Sequence, residues 1–192
     1  MKSFIVAALA ANAAAQAATN LPIRYSGIGQ DASGVTVKDG IINASDKRFW
    51  LGKPAKTYCG PPLRDPASVV CKSNDENNKT TLFLYVPADG TFKLDSTDNG
   101  QYVYVAVDGA LGFAWYRDLP KDGVIVGFSN GNGEVLTFEG KEWLSCPVEG
   151  EEAWQLFAQS RSSRTDCVGT TFKLKQEKER YEGGPAGAAE YI

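Results

Sequence analysis

Between Pro22 and Lys175 no stretch of this chain carries apolar residues at a helical spacing. They come instead in short runs rich in Val, Ile, Thr and aromatics, separated by Gly, Asn and Asp, which is the pattern of strands and tight turns. Segments expected as strands are Val35 to Val37, Phe49 to Leu51, Leu82 to Val86, Thr91 to Leu94, Tyr102 to Val107 and Leu111 to Tyr116. Val124 to Phe128, Val135 to Phe138, Trp143 to Cys146, Trp154 to Ala158 and Thr170 to Lys175 complete the set. Pro87-Ala88-Asp89-Gly90, Asp108-Gly109 and Asn130-Gly131-Asn132-Gly133 read as hairpin turns, because Gly and Asn accept the positive φ such turns need. An all-β fold follows.

Three passages repeat one order of strand, glycine turn, strand, turn, aromatic strand, turn and strand. They are GVTVKDGIINASDKRFWLG, GTFKLDSTDNGQYVYVAVDGALGFAW and GEVLTFEGKEWLSCPVEGEEAWQLFA, opening at Gly34, Gly90 and Gly133 at irregular intervals. Four strands repeated three times would make a closed antiparallel barrel of β-trefoil type, and closure would remove exposed strand edges. The alternative is a β-sandwich or ordinary barrel whose hairpins look alike because hairpins use similar residues.

The first residues, MKSFIVAALAANAAAQAA, combine a basic start at Lys2, an apolar run from Phe4 to Ala11 and small residues suited to A-x-A cleavage. Residues 1–17 are therefore expected to be a secretory signal peptide, cut after Ala15 or Ala17. The apolar run is too short to span a bilayer core of roughly 30 Å, and no transmembrane segment is expected elsewhere. Residues 18–175 are expected to form a single domain. The last stretch, QEKERYEGGPAGAAEYI, shifts to charge, Gly and Ala, so residues 176–192 are expected to be a flexible tail outside the core.

Four cysteines, Cys59, Cys71, Cys146 and Cys167, form an even set in a secreted chain and contain no C-x-x-C, which points to two disulfides rather than a metal site. Of three connectivities, Cys59–Cys71 with Cys146–Cys167 is favoured because each pair flanks a short, loop-like segment. Asn43-Ala44-Ser45 and Asn78-Lys79-Thr80 satisfy the N-glycosylation pattern.

Composition excludes several chemistries. The chain has no histidine, so Ser-His-Asp triads, Cys-His dyads and His metal ligands cannot occur, and an enzyme here would have to rely on carboxylates. With 20 basic against 23 acidic residues and a pI near 5.1, it offers no basic field for nucleic acid. No metal or cofactor is expected.

Secretion, cysteines and a series of words together carry a resemblance. The words are Phe49-Trp50-Leu51-Gly52-Lys53 leading to Thr57-Tyr58-Cys59, then Gln101 to Val105, Gly109 to Phe113, Trp143 to Pro147 and Trp154 to Ala158. In this order they resemble the small secreted fungal PhiA-like cell-wall and IgE-binding protein family, which includes elicitors of the plant hypersensitive response. The resemblance runs from the signal to about Gly169. It implies a secreted, disulfide-bonded, all-β protein of the cell wall or apoplast without an established catalytic site, acting on a host as elicitor, effector or allergen.

Two further expectations come from the residues themselves. Trp50, Trp143 and Trp154, which alternate within strands, should build the core. Trp115 and Tyr116 are adjacent, so one of them should face solvent and could stack on a sugar ring, which makes a wall-polysaccharide-binding, lectin-like module the rival reading. The Gln-x-Trp word of trefoil lectins is absent, since Trp154 precedes Gln155. The acidic residues Asp95, Asp98, Asp108, Asp118, Asp122, Glu149, Glu151 and Glu152 all fall in turn-like segments, where solvated charges are ordinary. Leu63 and Arg64, in the Pro-rich segment between Cys59 and Cys71, are a candidate recognition epitope, because a stiff loop loses little entropy on binding. The expected partner is a host cell-surface protein or a cell-wall polysaccharide, and a monomer is expected.

Overall fold

The computed structural model describes residues 23–34, 36–58, 80–86, 89–96, 100–131, 133–177 and 190–192. Among them the chain runs through β1 (Arg24–Gln30), β2 (Thr36–Ser45), β3 (Arg48–Leu51), β4 (Thr57–Tyr58), β5 (Phe83–Val86), β6 (Thr91–Leu94) and β7 (Tyr102–Val105). It continues with β8 (Leu111–Ala114), β9 (Phe128–Ser129), β10 (Val135–Phe138), β11 (Trp143–Pro147), β12 (Trp154–Ala158), β13 (Val168–Gln176) and β14 (Glu190–Tyr191). Among the described residues the remaining regular element is one 3-10 turn, Tyr116–Asp118. The all-β expectation holds, and no helix among the described residues is long and apolar enough to cross a membrane.

Among the described residues all pairings are antiparallel, and the ladder closes on itself. The circuit β1–β2–β3–β12–β11–β13 returns to β1, with Gly27 opposite Leu174 and Ile42 opposite Leu51. A second path, β5–β6–β7–β8, leaves β1 at Tyr25 and reaches β3 at Arg48. The first circuit takes its strands from the first and third of the repeated passages and from the flanking β1 and β13, whereas the second passage supplies β6, β7 and β8 of the side path. Closure leaves few free edges among these strands, which protects them from pairing with another chain.

Side chains alternate as strand geometry requires, with β10 reading half-buried, buried, half-buried, buried. The inward set is aromatic. Phe83 stacks on Phe92 at 4.9 Å between centroids, Phe92 meets Phe172 edge-on at 6.1 Å, and Trp143 meets Phe172 at 6.1 Å. Trp143 is fully buried and its indole N–H is satisfied by the Leu136 carbonyl at 2.7 Å. Removing such side chains from water stabilises by about 1.5–3 kcal/mol each, and edge-on pairs add to that. Trp50 joins the core as expected, but Trp154 is only half-buried, with Lys38 Nζ 5.3 Å from its ring.

Strand β1 carries two glycines and no aliphatic run, so its sequence hid it. A Cβ on Gly27 would come within 2.5 Å of the Phe172 ring, and one on Gly29 within 2.8 Å of Leu51. Glycine lets this strand lie close against the core, a recognised use of glycine within strands. Conversely, the expected strand Val124 to Phe128 reduces to a single bridge between Val124 and Val105 and the short β9.

The tail expectation is corrected at its end. Glu190–Tyr191 form β14 against β4, Tyr191 is 2% exposed, and the Ile192 carbonyl accepts from Asp46 N–H at 2.8 Å. A buried aromatic and the bonds made by the Tyr191 and Ile192 backbone outweigh the compositional signal of the segment before it. The expected signal segment 1–17 lies outside the described residues.

Candidate functional site

The segment after β8 builds the site. Trp115 has an extended backbone (φ −63°, ψ 150°), Tyr116–Asp118 wind into the 3-10 turn, and Leu119 returns to extended geometry before Pro120, as a residue preceding proline must. The turn breaks strand alternation, so both aromatics reach the surface region. Trp115 is half-buried with its indole N–H donating to Glu190 Oε1 at 2.8 Å, while Tyr116 is 69% exposed.

Beside Trp115 lies a groove of about 610 Å³, within the range of ligand sites. One lip is the β2–β3 hairpin turn, in which Asp46 and Lys47 both have positive φ (52° and 59°). Two such residues make a type I′ turn, usually the province of Asn and Gly. Asp46 is pinned by Lys56 Nζ at 2.8 Å and Lys53 Nζ at 3.2 Å, and these bonds hold its carboxyl below the usual carboxylate range. Lys53 in turn reaches Glu151 at 3.1 Å and lies 4.5 Å from the Trp50 ring.

The floor is a paired Arg48 and Tyr104. Arg48 Nη1 donates to the Tyr104 hydroxyl at 3.0 Å and to the Lys47 carbonyl at 3.2 Å, and among the described residues no carboxylate lies within ion-pair distance of it. The pair fits because position 112 is glycine. A Cβ there would stand 2.6 Å from Tyr104 Cζ and 3.0 Å from Arg48 Nη1.

The far wall is the docked C-terminal segment. Gln101 acts as a strand partner through its side chain, Nε2 donating to the Tyr191 carbonyl at 2.9 Å and Oε1 accepting from Tyr191 N–H at 2.8 Å. The Tyr191 hydroxyl accepts from Leu82 N–H at 3.0 Å, and burial raises the phenol's pKa. With Glu190 on Trp115, this segment fixes the orientation of the indole. The groove thus joins an aromatic side chain to the Arg48 guanidinium, which has no carboxylate partner among the described residues, and to the carboxylates of Asp118 and Glu190. These groups suit a ligand with apolar ring faces and many hydroxyls: the aromatic face takes C–H surface while the charged groups take hydroxyls.

Other expected sites are dispersed. Cys146 and Cys167 form a disulfide, joining β11 to the start of β13 with Cα atoms 4.2 Å apart. Cys59, Cys71, Leu63, Arg64, Asn78 and Asp98 lie outside the described residues. Asn43 is 3% exposed, its Nδ2 donating to the Lys53 carbonyl and its Oδ1 accepting from Thr81 N–H. The fold thus uses the amide to which a glycan on this sequon would be attached. Asp95 is also not a solvated turn residue, since it pairs with Arg24 at 2.8 Å with both side chains largely buried. Asp108 caps its own turn through Ala110 N–H. Arg48 and Glu190 carried no signal in the sequence, and Gln101 carried one only as part of a family word, because the three are polar residues brought together from distant parts of the chain.

A closed antiparallel ladder around an aromatic core, stapled by a disulfide and bearing a groove of mixed aromatic and charged lining, defines a disulfide-bonded all-β protein suited to an extracellular setting. The chain belongs to the PhiA-like secreted protein family, whose model matches residues 29–182, so this is a secreted protein. It is 25% identical over 184 residues to a protein named "Cell wall protein phiA" from Aspergillus fumigatus, covering 91% of this chain and 92% of that one. The same identity and coverage hold for its counterpart in A. fumigatus strain CBS 144.89 / FGSC A1163 / CEA10. No solved structure matches. Residues 190–192, which form one wall of the groove, lie beyond the span the family model matches.

Proposed function

We propose that this secreted protein is associated with the cell wall and acts by binding rather than catalysis, its groove beside Trp115 taking a wall polysaccharide. The observation that carries the reading is the half-buried Trp115 indole, fixed by Glu190 in the same groove as Arg48, whose guanidinium bonds the Tyr104 hydroxyl and has no carboxylate partner among the described residues. The relatives named as cell wall proteins support the location. A glycosidase needs one carboxyl with a raised pKa to donate a proton. Asp46 is held ionised by its lysines and Glu190 is committed to the indole, which favours binding. In this reading the closed circuit of strands is a β-barrel serving as a rigid mount for the groove. Action on a host as elicitor, effector or allergen then follows from a wall-borne surface rather than from a separate active site.

The test is retention of purified mature protein on insoluble chitin, β-glucan and cellulose, with soluble oligosaccharide as competitor. Competed, saturable binding is expected to one of the three, weakened about tenfold in Trp115→Ala, a loss of about 1.4 kcal/mol. Failure of the folded wild type to bind any of them would overturn the reading and turn the search to a host receptor protein.

A further inference from the structure

We propose, resting on the polysaccharide reading above, that the binding site does not end at Trp115 but continues over it onto Tyr116 and Tyr102. It would therefore hold an internal stretch of a linear polysaccharide whose sugars present flat apolar faces, as β-linked rings with equatorial hydroxyls do. Three observations place the extension there.

A second hollow of about 650 Å³ is formed by Trp115, Tyr116, Arg117 and Asp118. It shares Trp115 and Asp118 with the groove, so the two hollows have a common wall and one ligand can touch both. Tyr116 is a large ring left 69% exposed and outside the buried core. Its ring lies 5.5 Å from that of Tyr102, which is half-buried and has Lys93 Nζ 4.3 Å from its centroid. Exposed aromatic surface of this kind, rimmed by charge, marks a binding face more often than a scattered single side chain does. Finally, the aromatics are held before any ligand arrives: Asp118 N–H closes the turn on the Trp115 carbonyl at 2.9 Å, and Glu190 holds the indole. Groups already in place lose little freedom on binding.

The chemistry selects the ligand. Successive aromatic rings offer stacking surface to successive sugars, which requires axial C–H bonds on the sugar face and hydroxyls directed outward. Arg117, Asp118 and Arg48 stand beside those faces to exchange hydrogen bonds with the hydroxyls. A site with two contiguous hollows gains from each added unit, whereas a site for a chain end or a single sugar does not.

Calorimetry with oligosaccharides of two to six units, cut from whichever polymer the retention assay selects, tests this. For the wild type, affinity is expected to rise about tenfold from trimer to hexamer. Tyr116→Ala should lose most of that gain, while Tyr116→Phe, which keeps the ring, should retain it. Hexamer reduced at its chain end should bind as tightly as the unmodified one. Affinity that is flat with length, or a Tyr116→Ala variant that keeps the full gain, would confine the site to the groove and overturn the extension while leaving polysaccharide binding intact. No binding of any length by the wild type would overturn both.

Discussion

Tyr191 offers a direct test of the docked C-terminal segment. In Tyr191→Phe the ring keeps its buried place, 2% exposed in the wild type, and only the hydroxyl is lost. That oxygen accepts the Leu82 N–H at 3.0 Å, and Leu82 is itself 1% exposed, so water cannot replace it. Leaving a buried donor unsatisfied costs about 1–3 kcal/mol. Taking about 2 kcal/mol, a domain of this size should melt about 4–8 °C lower. In urea, with a slope of about 2 kcal/mol/M, the midpoint should fall by about 1 M at unchanged slope. Tyr191→Ala removes the ring as well and should cost about 3–5 kcal/mol. Tryptophan fluorescence reports the unfolding, and the Trp115 indole, tied to Glu190 next in the chain, should also become more solvent-exposed in the folded Tyr191→Ala protein. A Tyr191→Phe midpoint within error of the wild type would mean that Leu82 N–H does not depend on this hydroxyl, and the docking of β14 would be refuted.

Three other outcomes are expected. Burial raises the pKa of Tyr191 and of Tyr25, the latter helped by Tyr85. Both phenols stay protonated in folded and unfolded chains below the unfolded value of about 10. Above it the unfolded chain releases protons that the folded one keeps, so stability falls as pH rises towards the folded values. Urea midpoints from pH 9 to 11 should show this fall, and Tyr191→Phe should show a shallower one; equal slopes would count against the buried phenol. Replacing Cys146 and Cys167 by Ser opens a loop of sequence separation 21 and should cost roughly 3 kcal/mol, read from thermal melts. Peptide mapping of protein secreted from a glycosylating host should find Asn43 bare, and Asn43→Ala should destabilise by about 1–3 kcal/mol by stranding Thr81 N–H. A glycan on Asn43 in folded protein would contradict its burial.

How much of this was legible beforehand depended on whether a feature is written in neighbouring residues. Strands β5 to β8 and β10 to β13 announce themselves through alternation and β-branched or aromatic residues. Strand β1 does not, because its glycines answer to Phe172 and Leu51, far away in sequence. Trp115 and Tyr116 stood out as an adjacent pair, but strand alternation was the wrong reason for their exposure, since the 3-10 turn removes them from the strand. The two sequons look alike in sequence, yet Asn43 is consumed by backbone bonds to Lys53 and Thr81.

By itself the sequence determined the β class, the secretory route, the pairing of Cys146 with Cys167 and the exclusion of histidine chemistry. Each is a matter of composition or of local period, which a strand or a signal segment expresses wherever it ends up. Tertiary structure alone decided that the ladder closes on itself, that a Gly- and Ala-rich tail ends in a buried Tyr191, and that Arg48, Gln101, Trp115 and Glu190 share one groove. Those outcomes rest on hydrogen bonds and packing between residues dozens of positions apart. Such contacts form only when the whole chain offers their partners at once, so no local pattern can encode them.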